Sequence, residues 1–83
     1  MSGPRQIGIK VRGSEYQSIM DGLKTFIIRD NNINFKPGMI VTLQEWSIPD
    51  EAFTGREQRV EVTYVTDFNQ RPNNVVWSFR MVQ

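Results

Sequence analysis

The sequence predicts a mainly β domain with one helix, folded as a small, partly closed five-stranded β-barrel with the helix between strands 1 and 2. Short segments of alternating apolar and polar residues are separated by Gly, Pro and Asn turns, which is typical of strands. One segment near the start has helical spacing instead. In a chain of 83 residues, five strands bury most of their edges best by curling towards closure. An open sheet covered by one helix is the alternative.

The first strand and the helix follow from two different hydrophobic periods. In "QIGIKV", residues 6–11, the alternate positions Ile7, Ile9 and Val11 predict a half-buried strand. The next segment, "SEYQSIMDG", has apolar residues at the spacing of one helical face, namely Tyr16, Ile19, Met20 and Leu23. The pattern therefore changes from strand to helix within a few residues.

The ends of this helix are also marked in the sequence. Ser14, followed three residues later by Gln17, predicts a capping box at the N-terminus. Gly22 stands where a helix C-terminus favours a left-handed residue. A helix of two turns is the prediction.

Two further strands and a loop are predicted in the middle of the chain. "KTFIIR" is rich in β-formers, and its alternation sets Phe26 and Ile28 against Thr25, Ile27 and Arg29. The loop "DNNIN" and a Pro-Gly turn precede a strand over residues 39–46. "SIPDEAFTGR" then predicts a long polar, mobile loop with a second turn at Thr54-Gly55.

The last two strands differ in their apolar patterns. "EQRVEVTYVTD" places Val60, Val62 and Tyr64 on one face, as in a sheet that is wet on the other side. "VVWSFRMV" carries apolar residues on both faces, which predicts a central or barrel strand. Trp77 in this strand is expected in the core, whereas Trp46 is equally compatible with the core and with a base-stacking surface. Phe53 is the better candidate for an exposed aromatic residue.

Composition excludes several classes of site. The chain has no Cys and no His, so disulfides, thiolate metal sites and Ser-His-Asp or Cys-His catalysis are excluded, and no metal or other cofactor is expected. The net charge is +1, so any binding of nucleic acid depends on a local cluster of cations. No apolar run is long enough to span a bilayer, and a cytoplasmic location is expected. Residues 1–5 are expected to form a flexible tail and residues 6–83 a single domain.

The stretch "GLKTFIIRD", residues 22–30, carries the main functional question. Lys24 and Arg29 could be solvated charges at the two ends of a strand, or they could form a cationic site beside the helix C-terminus. Other cations could join that site if the fold brings them together, among them Arg12, Lys36 and Arg56. Carboxylates have no spacing that singles out a catalytic pair.

The central segment resembles the ASCH domains, relatives of the PUA RNA-binding domain. Their pattern is glycine, any residue, lysine, two residues, an acid or threonine, one residue and arginine, and Gly22, Lys24 and Arg29 match it in register. "FKPG" is similar to the start of the family's next strand. "FTGRE" followed by "VEVTYV" is similar to the short bacterial and phage branch of unknown function.

This resemblance implies a PUA-like barrel whose cleft, at the helix-strand junction, receives RNA or a nucleotide. Lys24 and Arg29 would line or support that cleft, with Thr25, Lys36, Arg56 and Arg12 as further candidate binding residues. The oligomeric state and the ligand are left open by the sequence.

One departure from the family pattern bears on catalysis. Ile27 stands where the family has an acid, or the threonine nucleophile of its acetylcytidine-amidohydrolase branch, and it can neither attack an amide nor accept a proton. Thr25 is displaced by two residues, roughly 6–7 Å along a strand. The resemblance therefore favours binding over hydrolysis, and no catalytic residue is assigned. The alternatives are a degenerate or shifted amidohydrolase acting on a modified nucleoside and a protein-interaction factor, possibly derived from a phage, that uses the "SIPDEAF" loop.

Overall fold

A computed structural model describes residues 7–82 of the chain and shows the predicted fold class. The protein is mainly β, with one helix between the first two strands and a five-stranded sheet curled into a half-barrel. The elements are β1 (Ile7–Arg12), α1 (Gly13–Met20), β2 (Phe26–Asp30), a 3₁₀ turn (Asn31–Ile33), β3 (Ile40–Ser47), β4 (Ala52–Thr66) and β5 (Asn74–Met81). Gln6, predicted in the first strand, and the expected tail at residues 1–5 lie outside the described residues. Neither helical segment in the described part of the chain is long and apolar enough to cross a membrane.

The sheet has the strand order β1-β3-β4-β5-β2. Strands β1 and β3 run parallel, and the other neighbouring pairs are antiparallel. β1 and β2 are thus the two edges of the sheet. The side chain of Arg29 in β2 nevertheless reaches the carbonyl oxygen of Lys10 in β1, with 3.2 Å between donor and acceptor. The sheet therefore curls until its edges face each other across a seam, defined here as the gap between β1 and β2.

The core lies on the concave side of the curled sheet, beneath α1. Trp77 in β5, an interior strand of the sheet, is completely buried, as predicted, and it stacks on Phe35 with 4.9 Å between ring centroids. Ile27 is also completely buried, whereas its neighbours Phe26 and Ile28 are about half exposed. Tyr16 and Ile19 are the buried residues of α1. Other core positions are filled by β-branched and aliphatic residues of β1, β3, β4 and β5, namely Ile9, Val11, Val41, Leu43, Val60, Val62 and Val75.

The C-terminus of α1 is confirmed and its N-terminus differs from the prediction. Gly22 has a φ of +77°, and the amide groups of Gly22 and Leu23 donate to the carbonyl oxygens of Ile19 and Ser18, which is a Schellman motif. The predicted capping box was wrong, because the helix begins at Gly13 and the side chain of its N-cap residue, Arg12, makes no capping hydrogen bond in the described part of the chain. Ser14 lies inside the first turn, where its carbonyl oxygen accepts a hydrogen bond from the Ser18 hydroxyl.

The apolar face of α1 is narrower than its sequence pattern. Met20 is 40% exposed and Leu23 is 81% exposed. The helix ends at Met20, so Leu23 follows the left-handed turn and leaves the buried face. The prediction that these two residues share the buried stripe was therefore wrong.

The predicted long loop at residues 47–56 is a tight hairpin. Only residues 48–51 turn, and β4 begins at Ala52 and pairs at once with Ser47. The next pair places Trp46 opposite Phe53, and their rings meet edge to face with centroids 4.9 Å apart. Because aromatic cross-strand pairs stabilise antiparallel ribbons, this pair extends the strands into the segment expected to be mobile.

The long strand β4 contains two irregularities that change the direction of its side chains. Between the pairs Gln44–Glu57 and Trp46–Phe53, β4 has three residues where β3 has one, and Gly55 at the centre of this bulge has a φ of +93°. A second register shift follows Val62, so Tyr64 faces outward and is 63% exposed. The prediction that Tyr64 shares the inner face of Val60 and Val62 was therefore wrong.

The side chains of β2 alternate between the core and the outer surface, and substitutions at two neighbouring positions test this orientation. Replacement of Ile27 by Ala is expected to lower the free energy of unfolding by about 2–4 kcal/mol, because it leaves a cavity beside Trp77. Ile28→Ala is the matched control and is expected to cost less than about 1 kcal/mol, because Ile28 is 44% exposed. Urea denaturation measures both values. Equal losses would contradict the orientation of β2.

Candidate functional site

The carboxylate of Glu15 is shared by the two cations that the sequence singled out. Lys24 Nζ donates to Glu15 Oε2 at 2.5 Å, and Arg29 Nη2 donates to Oε1 at 3.3 Å. Glu15 lies in the first turn of α1, Lys24 precedes β2, and Arg29 lies within β2. The three side chains are only partly exposed, at 19–30%. The carboxylate therefore joins the helix to an edge of the sheet.

Arg29 extends this connection across the seam. Its guanidinium donates to the carbonyl oxygens of Ile28 at 2.8 Å and of Lys10 at 3.2 Å, in addition to Glu15. A guanidinium has five N–H donors in a planar fork, so it can satisfy acceptors on three elements at once. Arg29 thus connects β2, β1 and α1 at a place where the described residues of β1 and β2 form no ladder with each other.

Charge and burial act on Glu15 in opposite directions. Burial raises the pKa of Glu15, but the hydrogen bond from Lys24 and the charge of Arg29 outweigh it, and the pKa lies below its ordinary value of 4.5. Glu15 is therefore held as a carboxylate. The strand "KTFIIR" contains no carboxylate that could pair with Arg29. Glu15, which is 14 residues away in the sequence, is that partner.

An open cleft of about 730 Å³ lies beside this ion pair, and it is called the seam cleft below. It is lined by Lys10, Arg12, Ser14, Glu15, Arg29, Trp46 and Ile48. Lys10 and Arg12 are exposed, and no carboxylate in the described part of the chain forms a salt bridge with either of them. Lys10 Nζ lies 3.9 Å from the centre of a Trp46 ring, a cation–π contact. The cleft thus combines cations with a half-buried aromatic surface.

A smaller cleft of about 320 Å³, called the Glu45 cleft, adjoins the first. The two share Arg12, Ser14, Trp46 and Ile48 among their lining residues. Among the residues whose burial the structure describes, Glu45 is the charged residue that is buried, with 8% of its surface exposed. Its Oε1 accepts a hydrogen bond from the Thr54 hydroxyl at 2.7 Å, and its Oε2 lies 3.6 Å from Arg56 Nη1.

The bulge at Gly55 places both partners of Glu45. Thr54 and Arg56 flank the left-handed Gly55 in β4, opposite Glu45 in β3. In a regular strand, Thr54 and Arg56 would be two positions apart on one face, and both could not lie directly opposite Glu45. The additional residues of the bulge bring both of them there. The segment "TGR" therefore surrounds one carboxylate with a hydroxyl and a guanidinium.

Arg56 acts mainly as a support. Besides Glu45, it contacts α1, because its Nη2 donates to Gln17 Oε1 at 3.3 Å and its guanidinium lies 5.0 Å from the Tyr16 ring centroid. Burial raises the pKa of the Tyr16 hydroxyl, and the charge of Arg56 opposes that change. These contacts hold α1 against β4.

The other predicted site residues lie apart from the seam cleft. Lys36 is in the turn before β3, whereas Trp46 is near the opposite end of that strand. At about 3.3 Å per residue, the six positions from Ile40 to Trp46 span roughly 20 Å. Thr25 is exposed ahead of β2, and its carbonyl oxygen accepts a hydrogen bond from the Phe79 amide. The structure thus brings together Arg12, Arg29 and, through Glu15, Lys24.

Sequence reasoning missed Lys10, Glu15 and Glu45 as parts of the site. Lys10 had a usable signal, because it alternates with the buried Ile9 and Val11 and so faces outward next to Arg12 at the end of β1. Lys24 and Arg29 are 9 and 14 residues from Glu15 in the sequence, and no regular helix or strand spacing indicates that they pair with it. Among residues 7–82, no group of acidic side chains is placed to hold a metal ion.

A third cleft, of about 590 Å³, lies between the loops that follow β2 and β4. Asparagine and other polar residues dominate its wall, with Arg71 as its cation. It is separate from the seam cleft in its lining residues. Its surface provides an internal comparison for binding experiments.

Residues 8–79 match the family model described as "Domain of unknown function (DUF3850)". The chain belongs to this family. The match includes the whole of α1, β2, β3 and β4 and most of β1, and every lining residue of the seam cleft lies within it. No curated protein matches the sequence. The resemblance to ASCH and PUA-like domains stays a prediction.

The pairing of Glu15 predicts a pH-dependent contribution to stability. Because its folded-state pKa is lowered, the contribution is present above the ordinary value of 4.5 and is lost as the pH falls through the folded value. Glu15→Gln is expected to cost about 1–3 kcal/mol of unfolding free energy at pH 7. The difference from the native chain should shrink in acid. Denaturant unfolding at several pH values measures it.

The control for this experiment is Glu51→Gln, which changes an exposed carboxylate in the hairpin turn. It should leave the pH dependence of stability close to that of the native chain. A stability difference between Glu15→Gln and the native chain that stays constant from neutral to acidic pH would show that the ion pair does not stabilise the fold.

Proposed function

We propose that this member of the DUF3850 family binds a nucleotide or a short single-stranded RNA segment in the seam cleft. The observation that carries the proposal is the convergence of Lys10, Arg12 and Arg29 with the ring of Trp46 around one open cleft. Phosphate would be held by the cations, and a base would stack on the aromatic surface. A volume of about 730 Å³ lies in the range of ligand-binding clefts.

The charges that line the seam cleft support this proposal, although the net charge of the whole chain is only +1. Three cations and one carboxylate line the cleft, and that carboxylate, Glu15, is already shared by Lys24 and Arg29. Arg12 and Ser14 also belong to the junction at which α1 begins, and among residues 7–82 the N-cap residue Arg12 makes no side-chain capping hydrogen bond. The amide groups of an uncapped first turn favour an anion, in addition to the side chains.

The aromatic lining of the cleft and the low net charge of the chain favour a single-stranded ligand over a duplex. Single strands offer the faces of unstacked bases, and a tryptophan can stack on any of them. Trp46 lines both clefts, so a base beside it could lie close to Arg12 and its phosphate group close to Lys10. A duplex would instead require a broad basic surface, and the net charge of +1 argues against one.

The proposal gives the predicted site residues different roles. Lys24 and Arg56 support the cleft through Glu15 and Glu45, while Arg12 and Arg29 line it. Thr25 and Lys36 are not among its lining residues. This binding role agrees with the one that the ASCH resemblance implies, and the cytoplasmic location stays a prediction beside it.

The alternative of an amidohydrolase stays an untested prediction. Ile27 is completely buried and pairs with Trp77, so its position presents no polar group to the cleft. Incubation with N4-acetylcytidine and measurement of released acetate would test it. Release that depends on Thr25 would revive the hydrolase alternative, and absence of release over a long incubation would remove it.

Protein interaction through the β3–β4 hairpin is a second candidate function. Ile48 and Phe53 at the hairpin are 57% and 51% exposed, which is the condition that this alternative required. Phe53 also packs on Trp46, so the exposed surface is continuous with the seam cleft. Absence of RNA and nucleotide binding at low salt would make this candidate the stronger one.

A double substitution tests the nucleotide-binding proposal. Lys10→Ala together with Arg12→Ala is expected to weaken binding of a fluorescent single-stranded RNA roughly tenfold, because two phosphate contacts are lost. The logarithm of affinity falls with the logarithm of salt concentration, and the magnitude of this slope should decrease by about 0.7 for each lost contact. Fluorescence anisotropy over a salt series measures both.

The matched control is Lys36→Ala together with Arg71→Ala. It removes the same charge from exposed residues outside the seam cleft, and Arg71 lines the third cleft. Affinity should stay within about twofold of the native chain. A larger loss in the control than in the Lys10 and Arg12 variant would contradict binding in the seam cleft and indicate the region of Lys36 and the third cleft instead.

A further inference from the structure

We infer that the Glu45 cleft is a base pocket that selects guanine, with Glu45 as the acceptor for the base's N–H groups. The inference rests on the proposed function, because it assigns the base specificity of the same site. Glu45 Oε1 and Oε2 supply the recognition, and Trp46, Ile48 and Pro49 supply apolar walls. The seam cleft then holds the attached phosphate.

The carboxylate of Glu45 has acceptor capacity left over. An ionised carboxylate can accept about four hydrogen bonds. Within residues 7–82, Glu45 accepts one, from Thr54 to Oε1. Arg56 Nη1 is 3.6 Å from Oε2, a distance at which its charge stabilises the carboxylate without a short hydrogen bond. Oε2 is therefore the oxygen with the most capacity for a ligand.

Gly13 leaves room in front of that oxygen. A Cβ atom added at Gly13 would lie 3.4 Å from Glu45 Oε2, in van der Waals contact with that oxygen. Gly13 and Glu45 both line the small cleft. The absence of a side chain at residue 13 thus keeps the space beside Oε2 open to the cleft.

Among the bases, guanine fits an acceptor-only group best. Its Watson–Crick edge presents two adjacent donors, N1–H and the N2 amino group, which a carboxylate can accept in a bidentate pair. Adenine and cytosine each offer one amino group there next to a ring acceptor. Uracil offers one N–H between two carbonyl oxygens, which a carboxylate repels. The expected order of affinity is guanine first and uracil last.

The two clefts are connected in the way a nucleotide requires. They share four lining residues, Arg12, Ser14, Trp46 and Ile48. A base in the Glu45 cleft would thus have its ribose near Ser14 and its phosphate near Arg12 and Lys10. The smaller cleft, about 320 Å³, has room for a base but not for a large ligand.

Calorimetric titration of the whole chain with GMP, IMP, AMP, CMP and UMP tests the inference. GMP is expected to bind about 5- to 150-fold more tightly than UMP, the discrimination of one bidentate pair. IMP lacks only the N2 amino group and should fall between them. Guanosine, which lacks the phosphate, should bind more weakly than GMP while keeping its advantage over uridine.

Two variants of the pocket complete the experiment. Glu45→Gln keeps the size of the side chain and an acceptor for Thr54, and it should bring GMP and UMP to within about threefold of each other. Gly13→Ala places a methyl group in the space beside Oε2 without altering the carboxylate, and it should weaken GMP more than UMP. Circular dichroism and thermal unfolding of each variant show whether it is folded.

The outcomes separate this inference from the proposed function. Equal affinity for all five nucleotides, lost in the Lys10 and Arg12 double variant, would overturn the guanine pocket and support the phosphate-binding cleft. Preference for UMP or CMP over GMP would also overturn it. Absence of binding by any nucleotide and by single-stranded RNA at low salt would overturn both.

Discussion

The shared carboxylate of Glu15 is the interaction on which the arrangement of this fold depends. A five-stranded sheet in so short a chain curls until its edges approach, but β1 and β2 do not pair in the described residues. Glu15 joins α1 to Lys24 and Arg29, and Arg29 continues to β1. A partly buried carboxylate is costly without partners. Two cations offset that cost here, so the seam is closed by charge-assisted hydrogen bonds instead of a ladder.

The same arrangement divides the cations near the seam into two groups. Lys24 and Arg56 are occupied by carboxylates on neighbouring elements and support the fold. Lys10 and Arg12 occupy outward-facing positions of β1 and line the seam cleft, beside Trp46. Arg29 belongs to both groups, because it is anchored on three acceptors and also lines the cleft. A preorganised cation of this kind binds an anion with little loss of side-chain entropy.

The sequence was sufficient for the fold class and for the local pattern of most strands, but not for the contacts of the site. Alternation placed Ile27 inside and Ile28 outside, and Trp77 in a central strand is in the core. The prediction that Tyr64 faces inward was wrong because the alternation of residue types does not reveal a register shift. The hairpin was missed because its stability comes from the Trp46–Phe53 pair across the strands, while its composition is that of a loop. Charges from separate elements meet only in the folded chain, so the partners of Glu15 and Glu45 had no signal in their spacing.

The measurement that tests the central claim most directly is a two-dimensional amide NMR titration of the labelled chain with short single-stranded RNA at low salt. A ligand in the seam cleft should shift the amide signals at the end of β1 and start of α1, residues 10–15, together with those of the hairpin, residues 46–54. Signals of the loops at residues 30–34 and 70–74 around the third cleft should stay in place. Shifts confined to those loops, or no shifts at all, would contradict the account.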